Sequence, residues 1–142
     1  PFWQEILPNH KIVIVVRNPI DVARSLSKRN HISLHLGLML WQKYYQILLT
    51  QTQSSERFFL FQDALINSDE KFIKAILAYL NLDEIKYVKN AIKKSVNKTL
   101  LTHAVGTSPE TVLKGRFHQE INKLWHAMGT ESDNFNNSIA SF

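Results

Sequence analysis

An α/β domain with a few parallel strands flanked by several helices is what this sequence predicts, and three observations carry that prediction. The first is a run of five β-branched residues, Ile12-Val13-Ile14-Val15-Val16, with the continuous apolar character of a central parallel strand covered on both faces. The second is the abrupt helix start behind it, where Asn18 is placed to cap, Pro19 occupies the first helical position and Asp21 the third. The third is a long periodic segment, residues 33–53, leading to a second apolar run, Arg57-Phe58-Phe59-Leu60-Phe61. A helical crossover of that length is what two parallel strands require.

Taken in order, Phe2, Trp3, Ile6 and Leu7 have helical spacing and Pro8-Asn9 would end that helix. The strand at residues 11–16 and a helix from Pro19 to Lys28 follow. Leu34, Leu38, Trp41, Tyr45 and Leu48 form one stripe of the next helix, with Leu40, Tyr44 and Ile47 beside it, and most of this aromatic content is expected in the core. Ser68-Asp69-Glu70 caps a helix that turns Phe72, Ile73, Ile76, Leu77 and Leu80 inward. A basic amphipathic helix is expected over residues 84–96. A membrane or nucleic acid could meet its lysines, but a solvated face is the commoner use of such a pattern. Thr107-Ser108-Pro109-Glu110 starts a last helix, with Phe117, Ile121, Leu124, Trp125 and Met128 packing and Gly129 as its C-terminal cap. Residues 130–142, rich in Ser and Asn, read as a frayed tail, so the domain spans residues 1–129.

Composition sets limits. The 142 residues suit one domain, and 44% hydrophobic with 20% charged residues is ordinary for a globular chain. A net charge of +5 favours anionic partners without choosing among them. The chain has no Cys, which rules out disulfides and thiolate metal sites and is compatible with a cytoplasmic location. No apolar run approaches membrane-spanning length. His31 and His35 have a metal-ligand spacing of four, but no third ligand accompanies them, so no metal is expected. The chain begins Pro1-Phe2-Trp3 and its first Met is Met39, and it is therefore read as a piece of a longer protein.

The chemistry concentrates after the first strand. Arg17 stands at its carboxyl end beside the positive end of a helix, a good place to hold an anion. Ser25 is in line with Asp21 and Arg29 at spacings of four. A guanidinium and a hydroxyl converging on one group suit a phosphate.

The segment Arg17-Asn18-Pro19-Ile20-Asp21-Val22-Ala23-Arg24-Ser25-Leu26 resembles the second nucleotide-binding segment of sulfotransferases that use 3'-phosphoadenosine 5'-phosphosulfate (PAPS). In that family an Arg and a Ser eight positions apart bind the 3'-phosphate, and Arg17 and Ser25 have that separation. Arg29-Asn30, Leu40-Trp41 and Tyr44 continue the likeness to bacterial members, and it extends over about residues 1–82. The resemblance implies an incomplete P-loop-NTPase-like sulfotransferase domain, with PAPS as donor and a hydroxyl or amine of a small molecule or saccharide as acceptor. No nucleic-acid or membrane partner is expected. Arg17 and Ser25 are the nucleotide-binding candidates it carries, and Arg29 joins them by sharing the stripe of Ser25. Lys114 and Arg116 are further candidates, since Lys114-Gly115-Arg116 is similar in composition, though not in order, to the family's Arg-Lys-Gly tripeptide.

Two departures matter. The family's Tyr-Glu-Asp-Leu-like segment after the second strand is Gln62-Asp63-Ala64-Leu65 here, so no adenine contact is carried over. The 5'-phosphosulfate loop with its Lys, and the catalytic base, precede the Arg...Ser segment in the family. The sixteen residues before Arg17 contain neither a Gly-rich nor a Ser/Thr-Gly-Thr loop, and Glu5 and His10 fit structural positions better. No catalytic residue is therefore named. The competing readings are a non-catalytic basic helical module for a polyanion or protein partner, and a kinase-like P-loop nucleotide enzyme.

Overall fold

The computed structural model describes residues 5–7, 10–67, 69–82, 90–91 and 116–139, the last stretch by backbone alone at 116–117 and 134–139. Strand β1 spans Ile12–Val16 and helix α1 spans Pro19–Asn30. Asn18 caps α1 as its sequence position requires, its Oδ1 accepting the Ile20 N–H at 2.9 Å. Helix α2, Leu34–Gln51, is capped by Ser33, whose Oγ accepts the Leu36 N–H at 3.1 Å. Strand β2, Arg57–Phe61, runs directly into the short helix α3, Gln62–Ile66. Helix α4, Glu70–Leu80, starts at Asp69, whose side chain accepts the N–H groups of Lys71 and Phe72. Helix α5 covers Arg116–Ile139.

The two strands pair in parallel, from Ile12 opposite Arg57 to Val16 opposite Phe61, and α1 and α2 form the crossover between them. The result is a mixed arrangement of two parallel strands and several helices, compatible with the α/β class. One sheet face packs Ile14, Val16 and Phe59 against Ile20, Ala23, Leu38, Trp41 and Tyr45 from the crossover and Ile121 and Met128 from α5. The other face packs Phe58 and Leu60 against Ala75 and Tyr79 of α4. Gly37 of α2 sits directly against Ala23 of α1. A Cβ there would lie 2.8 Å from the Ala23 Cα, so only glycine lets the two backbones approach this far.

Four expectations need correction. The strand β1 is not covered on both faces along its length: α4 lies over β2, and Val15 is 55% exposed. In α2, Leu38, Trp41 and Tyr45 are buried, whereas Leu34, Leu40, Tyr44 and Ile47 are exposed, because α1 and the sheet cover a single side of the helix. In α4, Ala75 and Tyr79 are buried and Leu80 is not, because the helix meets both β2 and α5 and so buries a wider arc than one stripe. Gly129 caps nothing. The helix passes through it to Ile139, so residues 130–139, read as a frayed tail, are helical. Contacts beyond Gly129 explain the extension: Glu131 forms a two-pronged ion pair with Arg57 at 2.7 and 2.9 Å, and buried Ser132 donates to the Phe59 carbonyl at 3.4 Å. The helices expected at residues 84–96 and at the Thr107 start lie outside the described residues. No described helix is long and apolar enough to cross a membrane.

Candidate phosphate-binding site

Val15 of β1 and Arg17 just beyond it are held by two aromatic side chains. The Tyr45 hydroxyl donates to the Val15 carbonyl at 2.8 Å and accepts the Arg17 N–H at 3.4 Å. The Trp41 indole N–H donates to the Arg17 carbonyl at 2.9 Å. Trp41 and Tyr45 are four residues apart on α2, so one helical face presents both polar tips, and their rings pack at a tilt of 44° with centroids 4.6 Å apart. The backbone of Arg17 is thus held on its N–H and on its carbonyl. Burial raises the Tyr45 pKa above 10.0, opposed by the hydrogen bond from Arg17, so the phenol stays protonated and keeps donating.

The other ends of the strands have a matching tie. The Tyr79 hydroxyl accepts the Ile12 N–H at 3.0 Å and lies 3.1 Å from the carbonyls of both Ile12 and Glu56. The Lys11 ammonium donates to the Tyr79 carbonyl. Trp41, Tyr45 and Tyr79 are therefore the residues that fix the strand ends, and reading the aromatics of the sequence as core missed their polar function. The signal was there: each carries a hydroxyl or indole N–H that must find a partner when its ring is buried.

Arg17 is half-buried, and among the described residues no hydrogen bond or ion pair engages its guanidinium. It projects from the turn one residue ahead of the Asn18 cap. Ser25 is half-buried in α1, six residues past Pro19, or about 9 Å along the axis at 1.5 Å per residue. The strand–turn–helix unit therefore carries both groups, one at its turn and one two turns on. Arg29 is at the far end of α1, about 15 Å along the axis from Pro19. It is exposed, and its Nε donates to the Asn30 side chain at 2.9 Å. The structure does not bring it to the turn. Lys114 lies outside the described residues, and Arg116 is described only as the first backbone position of α5.

Gln62, which stands where the family has Tyr, opens α3 immediately after β2. Among the described residues no group of three His, Asp or Glu could hold a metal ion. Comparison with protein-family models, with curated proteins and with solved structures finds no match for this chain.

Proposed function

We propose that this chain carries the 3'-phosphate half of a PAPS site and works as part of a sulfotransferase whose acceptor is a hydroxyl or amine. The observation that carries the reading is Arg17: a half-buried guanidinium without a partner among the described residues, on a backbone held by Trp41 and Tyr45, at the amino end of a capped helix. The held backbone sets where the guanidinium starts from when it meets a phosphate dianion, and the helix end adds to the attraction. Ser25 supplies a neutral hydroxyl from the same helix. The family resemblance of residues 17–26 identifies the group they would hold as the 3'-phosphate.

In sulfuryl transfer the bond from sulfur to the bridging phosphate oxygen breaks and a bond to the acceptor oxygen or nitrogen forms. The acceptor's proton passes to a base, and adenosine 3',5'-bisphosphate leaves. Such reactions depend on positioning and on neutralising charge. Arg17 and Ser25 would anchor the leaving nucleotide and so fix the direction of its 5' end. They are binding residues and take no part in bond making.

The test is calorimetric titration with adenosine 3',5'-bisphosphate and adenosine 5'-monophosphate. The reading predicts that the bisphosphate binds at least about tenfold more tightly, a difference of about 1.4 kcal/mol, and that Arg17→Ala and Ser25→Ala abolish the preference. Equal binding of the two nucleotides, untouched by either substitution, would favour a basic module that accepts any polyanion.

A further inference from the structure

Between α1, α2 and α5 lies a half-open cavity of about 410 Å³. Ile20, Leu34 and Leu38 give it an apolar lining, while Arg24, His35 and His118 bring nitrogen-bearing side chains to it from the three helices. Among the described residues, no carboxylate lines it. The volume falls in the range of small-molecule sites, which combine apolar walls with a few convergent polar groups. We propose that this cavity binds an amphiphilic monoanion, a carboxylate or sulfate head on a short apolar body.

The chemistry selects that class. Arg24 is half-buried and presents the planar fork suited to a carboxylate or sulfate edge. The histidines on α2 and α5 add to the polar side of the cavity beside that fork. Ile20 and Leu38 are buried, and Leu34 is exposed at the rim, so the body of the ligand would cover apolar surface already turned toward the cavity. A bare small anion would leave this lining wet, and an uncharged alcohol would leave Arg24 unmatched. A polyphosphate would set surplus charge over leucine and isoleucine, against the cost of desolvating it. Neither Arg17 nor Ser25 lines the cavity, so the inference does not rest on the nucleotide reading.

The test titrates the 142-residue chain with hexanoate, hexyl sulfate, hexan-1-ol and acetate, using calorimetry. Saturable binding of at least one of the two amphiphilic anions is expected, with hexanol and acetate each weaker by at least about tenfold. Whichever anion binds more tightly identifies the head. Arg24→Gln should weaken binding about tenfold, and Leu34→Glu, an exposed site that adds a repelling carboxylate at the rim, should do the same while far-UV circular dichroism stays unchanged. Hexanol binding as tightly as hexanoate, folded variants of unchanged affinity, or no saturable binding below about 10 mM would each overturn the proposal.

Discussion

The indole N–H of Trp41 donates to the carbonyl of Arg17 across 2.9 Å, tying the middle of α2 to the carboxyl end of β1. That bond fixes the residue on which the proposed site depends. Trp41 is buried in the main core, so its replacement tests packing and hydrogen bonding together. Trp41→Phe should destabilise the fold by about 2–3 kcal/mol, because it opens space in the core and leaves the Arg17 carbonyl without its donor. Denaturant unfolding measures the loss. Faster amide exchange at Asn18 than at core positions of α2 would report the loosened turn.

Tyr45 and Tyr79 give the stability a pH signature. Burial raises both phenol pKa values above 10.0, partly offset by the backbone hydrogen bonds to Arg17 and Ile12 respectively. In the unfolded chain these phenols ionise near pH 10, whereas in the folded chain they hold their protons longer. Above pH 10 the native state therefore binds more protons than the unfolded state, and stability falls as pH rises. Below pH 10 the contribution is fully present and flat. Unfolding midpoints measured between about pH 9 and about pH 11 should show the decline, and Tyr45→Phe should make it shallower.

Two glycines should respond oppositely to the same substitution. At Gly37 the new methyl would sit 2.8 Å from the Ala23 Cα and 3.0 Å from its Cβ, so Gly37→Ala should push α1 from α2 and cost about 1–3 kcal/mol. Ala23→Gly should restore only part of that, since the shorter contact is with backbone. At Gly129, no described residue lies within 4 Å of an added methyl and the position is inside α5. Gly129→Ala should therefore stabilise by about 0.5–1 kcal/mol. Thermal unfolding of the two single variants checks the opposite signs.

How far the sequence foretold these features depended on whether the signal was local. The cap–proline pair Asn18-Pro19 and the β-branched run before it act within a few residues, and both elements form where they were expected. The side of α2 that is buried was not local information. Leu40 and Tyr44 are as apolar as Leu38 and Tyr45, and only the positions of α1 and the sheet distinguish them. Gly129 resembled a cap because glycine often ends helices, yet Glu131 and Ser132 hold the next turn through partners more than seventy residues earlier. In the candidate site, Arg17 and its helix could be read directly. The clamp by Trp41 and Tyr45 could not, because it needs the crossover to fold back over the strand.

The ion pair between Arg57 and Glu131 should matter more than a surface pair but less than a buried one. The Arg57 side chain is 14% exposed and Glu131 is 43% exposed. The Arg57 guanidinium also donates to the Leu49 carbonyl and the Thr52 hydroxyl at 3.0 Å each, so losing Glu131 does not strand it. Glu131→Gln should cost about 1 kcal/mol in chemical denaturation, with the loss shrinking as salt is added.

The central claim is that Arg17 and Ser25 grip one phosphate, and a double-mutant cycle on adenosine 3',5'-bisphosphate binding measures that most directly. Titrations of the wild type, Arg17→Ala, Ser25→Ala and the double variant supply the four affinities. If both side chains hold the same 3'-phosphate, each single substitution weakens binding and the double variant loses clearly less than the sum, with a coupling of about 0.5 kcal/mol or more. Strictly additive losses, or undiminished binding in either single variant, would contradict the account.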